Sequence, residues 1–291
     1  MISTVGIIGF GLIGSSIAHN IRDKKLANKI ICLDNNQQVC NDVLDMGLAD
    51  IAETTPDIIS ACDLIFICVP VMGMSIVMKQ IAPFLNKNTI ITDVGSVKGQ
   101  IVKDSESYLP YPENFVAGHP MAGTEFSGPK AGFNELFVNK KWLLTPTTKT
   151  NKNTAASVKN FCKSMGAQVK ILDVDIHDKV VAMTSHLPQL ISYMIMNASN
   201  DLELDLNHDV INYSANGFHG FARISLSDPI MWRDVYRANK TEMLDILNRF
   251  QSEINSMRQA IENEDSETME KYFEKSRRRR LQHLKDKKEL E

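Results

Sequence analysis

The sequence has no apolar run of about 18 residues, the length a membrane-crossing helix needs, so no segment is expected to span a bilayer. Nor is a secretory leader expected, since "MISTVGIIGFG" reads as a strand from the outset. Nor does either sign of charge dominate. With 32 basic and 35 acidic side chains in 291 residues, the formal charge of -3 gives no electrostatic reason to expect nucleic acid or an anionic membrane as partner. A small anionic metabolite stays open, since it needs only a local cluster of donors. Cys32, Cys40, Cys62, Cys68 and Cys162 show none of the close paired spacings of a zinc or redox site, and no metal cluster is visible elsewhere. Their odd number, with no leader expected, suggests a reduced, cytoplasmic compartment.

What is present is enough apolar material, 43% of the chain, for one large or two ordinary domains. "TVGIIGFGLIGSSIAHNIRDKKL" reads as a buried strand that breaks into Gly9, Gly11 and Gly14 and continues as a helix through Ile13, Ile17 and Ile21. The first glycine permits a tight turn, the second lets the chain approach a pyrophosphate, and the third lets helix and strand pack closely. Leu12, Ile13 and Gly14 then open a helix whose unpaired N–H groups suit phosphate. "KIICLDNN" supplies a second strand ending in Asp34, placed to meet ribose hydroxyls, and a carboxylate there repels a 2'-phosphate. NAD is therefore favoured over NADP as cofactor.

Further strands, "DLIFICVP", "NTIITDVGS" and "NFVAGHP", alternate with helical segments at 42–46, 57–61 and 74–84. "KKWLLTPT" and "AQVKILDVD" add late strands around an amphipathic helix over 151–165. Continuous apolar strands between helices argue a parallel sheet covered on both faces. After residue 172 helical periodicity takes over. The expected architecture is α/β: a Rossmann-like, doubly wound sheet domain over 1–172, followed by an all-helical domain over 173–291.

In such sheets the ligand lies beyond the carboxyl ends of the strands. Three of those ends carry candidates: Val69-Pro70, Asp93 to Lys98 with Ser96 at its centre, and Gly118-His119-Pro120 within "FVAGHPMAGTEFSGP". His119, at a strand end above a nucleotide site, reads as a residue of the chemistry. Ser96 either joins it or caps a helix beginning near Val97, and Lys98 reads as a solvated first-turn residue. In the second half, Ser185 suits a cap and Pro188 a first-turn position, with His186 between them free to pack or to meet a ligand. Arg223, among Phe218, Phe221, Ile224 and Leu226, calls for a carboxylate or phosphate partner. Asp228-Pro229 reads as the cap and first position of a helix, and Arg233-Asp234 as a structural ion pair. The apolar stripe Met243, Leu247, Phe250, Ile254, Met257 and Ile261 suits a subunit interface. The run 277–280 reads as a solvated helix end.

The ordered set "GFGLIGSSIA", "DVGSVKG", "HPMAGTEFSGP", "LLTPT", "SHLP" and "GFARISLSDPIMWRD" resembles the prephenate and arogenate dehydrogenases of tyrosine biosynthesis along nearly the whole chain. The resemblance implies NAD-dependent oxidative decarboxylation of a cyclohexadienol by a homodimer joined through its helical domains. Hydride leaves ring carbon C4, a neutral His119 accepts the hydroxyl proton, and carbon dioxide departs from C1 as the ring becomes aromatic. The resemblance also implies Ser96 as partner of His119 and Arg223 as anchor of a substrate carboxylate, with Glu125, Ser185 and Trp232 lining or gating the pocket. His186 stands first in the family's H-L-P-H signature, while Gln189 replaces the second histidine and His219 falls where many relatives carry a basic residue. Glutamine still donates and accepts a hydrogen bond but supplies no cation. Two other readings compete: a dehydrogenase of another small beta-hydroxy acid, and a non-catalytic NAD-sensing dimer.

Overall fold

The computed structural model describes residues 2–124 and 126–286. In chain order its regular elements begin β1 (Thr4–Ile8), α1 (Leu12–Lys24), β2 (Lys29–Leu33), α2 (Gln37–Asp45), β3 (Ile51–Glu53), β4 (Leu64–Ile67), α3 (Met74–Ile81), β5 (Ile90–Asp93), α4 (Gly99–Tyr108) and β6 (Phe115–Val116). The six strands form one parallel sheet in the order β3-β2-β1-β4-β5-β6. The chain builds outward from β1 and then returns to lay β4 on its other side, which opens a crevice at the carboxyl ends of β1 and β4.

Period-two alternation sends Val5, Ile7, Ile30, Cys32, Leu64 and Phe66 to one face of the sheet, where Ile17 and Ile21 of α1 cover them. Ile8, Ile31, Leu33, Ile65 and Ile67 face the other way, against Met74 and Met78 of α3 and Ile101 of α4. Each such side chain contributes about 1.5–3 kcal/mol on burial, and this two-sided layer holds the strand ends still.

Four local expectations change. The short strand β3 has no alternating pattern to announce it. Helix α2 begins earlier than expected because the Asn36 side chain caps it, accepting from Gln38 N at 2.9 Å. Residues 57–61 lie in a tighter 3₁₀ turn. The expected strand "NFVAGHP" divides at Ala117: β6 stays in the parallel sheet, whereas β7 (Gly118–Pro120) leaves it. There β7 pairs antiparallel with β8 (Lys141–Leu144), which pairs parallel with β9 (Gln168–Ile171) across α5 (Lys152–Ser164). His119 stands opposite Leu143 in this second sheet. The split follows from Gly118, whose N–H is taken by Asp93 Oδ1 at 3.0 Å and whose position permits no Cβ, since one would lie 2.8 Å from Asp93 O.

Beyond β9 the described residues hold only helices: α6 (Val174–Val181), α7 (Leu187–Leu206), α8 (Asn216–Ala222), α9 (Pro229–Ala238), α10 (Lys240–Glu262) and α11 (Ser266–Asp286). Between α6 and α7 the chain makes one wider turn over 182–186, in which Leu187 N–H donates to Ala182 O, five residues back. Ser185 lies inside that turn and caps nothing, unlike the sequence expectation. Asp228 does cap α9, accepting from Ile230 N at 2.7 Å and Met231 N at 3.2 Å ahead of Pro229.

Residues up to Met243 form one compact unit and those from Leu244 another. In the second, Arg277 and Arg278 pair with Glu274 at 3.4 and 2.9 Å on a solvated face, as expected for that run. No helix of the described residues is long and apolar enough to cross a membrane.

Candidate active site

The turn after β1 explains its glycines individually. Gly9 adopts φ +88°, and a Cβ there would lie 2.7 Å from Cys68 O; one on Gly14 would lie 2.2 Å from Gly9 O. A Cβ on Gly11 would meet no protein atom within 4 Å. Its missing side chain therefore serves nothing inside the fold and keeps clear the space before the α1 N–H groups of Leu12, Ile13 and Gly14, as a pyrophosphate requires. Asp34 closes the far side: its carboxylate accepts from Phe10 N at 2.9 Å and Asn36 N at 3.0 Å, which fixes it beyond β2. Val69 and Pro70 follow β4 beside this turn, and a Cβ on Gly9 would also touch Val69 at 3.0 Å. These residues fit a dinucleotide.

Beside the cradle lies an ion pair at the heart of the unit. Lys98, expected in solvent, is fully buried; its Nζ bonds the Asp93 carboxylate and Gly118 O, the latter at 2.6 Å. Sequence position suggests a helix surface because the helix is expected to begin at Val97, yet α4 begins at Gly99 and Lys98 turns inward before it. Burial lowers the Lys98 pKa, and Asp93 opposes that shift. Asp93 also accepts from Gly95 N at 2.8 Å. One carboxylate thus ties the end of β5 to the start of β7, directly before His119.

His119 is 8% exposed. Its Nδ1 lies 2.9 Å from Nε2 of His177, whose Nδ1 lies 2.8 Å from Asp178 Oδ1. Asp178 accepts in addition from Lys98 N at 2.8 Å and Gly99 N at 2.7 Å. Burial would raise the Asp178 pKa, but these hydrogen bonds outweigh it and hold the carboxyl below its usual range. Burial, and then the neighbouring His177, Lys98 and His186, push the His119 pKa well below that of a free imidazole. The ring is neutral at pH 7, the state a proton acceptor needs.

His186 backs the same cluster. Asn239 Nδ2 donates to Asp178 O at 3.0 Å and to His186 Nδ1 at 3.2 Å, and the Trp232 ring stands edge-on to the His186 ring with centroids 5.8 Å apart. Nε2 of His186 and Nε1 of Trp232 are buried without a hydrogen-bond partner among the described residues. Burial pushes the His186 pKa down to about 4 despite Asp178. The unfolded chain binds a proton there at about pH 6.5 and the folded chain does not, so this stability is full above pH 6.5 and lost as pH falls toward 4. His186 alone contributes about 3 kcal/mol across that window. Urea midpoints are expected to drop from pH 7 to pH 4.5, and His186→Gln to flatten the drop; an unchanged slope in the variant contradicts the assignment.

The other expected site residues separate into two groups. Gln189 is buried and donates from Nε2 to Ile224 O at 2.6 Å, which fastens the turn that carries Arg223 to α7; Ser192 Oγ adds a bond to Phe221 O at 2.7 Å. Arg223 itself is exposed and makes no ion pair among the described residues, so its apolar sequence neighbours do not bury it. His219 is exposed, bonded to Ser214 Oγ at 3.1 Å, and Arg233 pairs with Asp234 at 2.8 Å as expected. Ser96 is half-buried and neither caps α4 nor bonds the His119 Nδ1, whose partner is His177. Glu125 lies outside the described residues. His177, Asp178 and Asn239 were not expected at the site; the adjacent His-Asp pair in "DIHDK" was the available signal.

The family profile described as "Prephenate dehydrogenase, nucleotide-binding domain" matches residues 17–171, and that described as "Prephenate dehydrogenase, dimerization domain" matches 173–275. The cyclohexadienyl dehydrogenase of Zymomonas mobilis is 33% identical over 278 residues, covering 95% of this chain and 94% of that protein. The prephenate dehydrogenase of Bacillus subtilis is 32% identical over 94% of this chain and 74% of its own. The crystal structure of prephenate dehydrogenase from Aquifex aeolicus, in complex with hydroxyphenyl propionate and NAD+, superposes with a TM-score of 0.91 at 31% identity, covering 97% of this chain and 98% of that one.

Proposed function

Because the chain belongs to the prephenate and arogenate dehydrogenase family, we propose that His119 is the base of its reaction, held between a dinucleotide cradle and a helical wall. The activity is NAD-dependent oxidation of prephenate or arogenate, toward hydroxyphenylpyruvate or tyrosine. The observation that carries the assignment of His119 is a buried, neutral imidazole whose Nδ1 is engaged by His177 and whose Nε2 bonds no described residue.

Gly9, Gly11, Leu12, Ile13 and Gly14 would hold the pyrophosphate, Asp34 the ribose, and Val69, Pro70 and Ser96 would border the nicotinamide end. NAD, when bound, supplies the hydride acceptor. His119 takes the ring hydroxyl proton as the hydride leaves, and loss of carbon dioxide makes the ring aromatic. Arg223 offers a planar fork to a carboxylate. Ser185, His186, Gln189, Trp232, His219 and Glu125 complete the proposed substrate side. The buried Nε2 of His186 and Nε1 of Trp232 support it, since a buried donor without a partner favours an acceptor on a ligand.

The chemical division we propose is 1–172 for the dinucleotide and 173–291 for substrate and a homodimer contact. The exposed Met194, Leu202 and Leu206 of α7, and Ile254 and Ile261 of α10, support such a contact, as does the description of the matching second profile. Sedimentation at micromolar concentration tests it, a monomer counting against it. Five free thiols support a cytoplasmic setting.

The deciding experiment follows NADH absorbance with prephenate and with arogenate and identifies the aromatic product; no reduction with either overturns the function. Gln189→Leu frees the Arg223 turn from α7 and is expected to raise KM by about tenfold with kcat held, as loss of uniform binding does. An unchanged KM would show that the turn holds its place without the amide.

A further inference from the structure

We propose that His177 and Asp178 are positioning residues that fix His119 in the tautomer with its proton on Nδ1, so that Nε2 is the atom that receives the substrate's proton. This rests on the assignment of His119 as the base.

Two short contacts assign the protons. The Asp178 carboxylate only accepts, so the 2.8 Å contact to His177 requires the proton on His177 Nδ1. A neutral imidazole has one N–H, which leaves His177 Nε2 an acceptor. Its partner at 2.9 Å, His119 Nδ1, must then donate. The single proton of neutral His119 is thereby assigned, and Nε2 keeps its lone pair.

A doubly protonated His177 would reverse the second bond and put the His119 proton on Nε2. The ring-nitrogen spectrum described below separates the two states. His177 is wholly buried; the charged groups near the two rings are Lys98, just before α4, and Asp178 from α6, with His186 from the wide turn as the remaining titratable neighbour. Asp93 is engaged by Lys98, and the Asp178 carboxylate already receives two backbone amides of the α4 start.

The arrangement also serves the step itself. When Nε2 takes the hydroxyl proton, His119 becomes a cation that still donates from Nδ1 to His177, and the dipole of that ring points toward the Asp178 carboxylate. No proton has to move along the relay. A side chain at 177 that accepts a hydrogen bond preserves this; one that cannot accept leaves Nδ1 unsatisfied and both tautomers open.

Two measurements test the relay. In ¹⁵N-labelled full-length protein near neutral pH, couplings between ring carbons and nitrogens are expected to show His119 protonated at Nδ1 and bare at Nε2. A proton on Nε2 overturns the proposal without any variant having to fold. In turnover, His177→Leu is expected to lower kcat by about tenfold or more with KM within about threefold, while His177→Gln, whose Oε1 can accept from Nδ1, recovers most of the loss. Equal kcat for the leucine and glutamine variants overturns it. If the enzyme oxidises neither substrate, the functional assignment fails, and the ring spectrum still decides the tautomer.

Discussion

His119→Asn is expected to lower kcat by about 100-fold or more, with NAD affinity unchanged. Asparagine is shorter and has no lone pair where Nε2 stands, so the hydroxyl proton must leave to water while the hydride departs. Its amide N–H still offers a donor toward His177, and β7 keeps its backbone pairing with β8, so the fold is expected to survive. The cradle of Gly9, Gly11, Gly14 and Asp34 lies in the turn after β1, the first turn of α1 and the residue after β2, segments the substitution does not alter. Steady-state kinetics paired with NAD titration by fluorescence checks both halves. Turnover within a few-fold of wild type would remove His119 from the chemistry, whereas loss of NAD binding would make the effect structural.

The largest effect on stability is expected at Asp93→Ala. The substitution leaves the Lys98 ammonium buried without its carboxylate and releases the N–H groups of Gly95 and Gly118. Breaking a buried pair by removing one partner costs about 3–5 kcal/mol, because the remaining charge keeps its desolvation cost. Urea denaturation is expected to report a loss of that size. Lys98→Met in the same chain is expected to return part of it, since no buried charge remains. A single variant as stable as wild type would mean that Lys98 reaches solvent, contrary to its burial.

The parallel layer was legible because its strands are short β-branched runs buried on both faces, a pattern that glycine turns and intervening helices reinforce. Asp34 and the three glycines were legible because the spacing itself encodes the turn. Lys98 was not. A lysine ahead of a helix reads as solvated, and only the folded chain shows that β5, one residue set earlier, brings Asp93 under it. The departure of β7 from the sheet was hidden for the same reason: Gly118 looks like the continuation of an apolar strand until Asp93 captures its N–H. His177 and Asp178 lie 58 and 59 positions after His119, and nothing in their own helix pattern marks them as its neighbours. Arg223 shows the opposite error, in which apolar company in the chain was taken for burial in space.

The wide turn over 182–186 carries a constraint on inheritance. It is flanked by anchored segments, with His177 and Asp178 before it and His186, Gln189 and Ser192 at its end and beyond, so the extra residue cannot be lost by rotating either flank. Deleting one position would regularise the coil to i→i+4 geometry, but Pro188 would then press its ring on the carbonyl four residues earlier, at a cost of about 3 kcal/mol. The proline is therefore expected only where the surplus residue is kept, and a homologue with the proline but without that residue should show a kinked or frayed helix at this point.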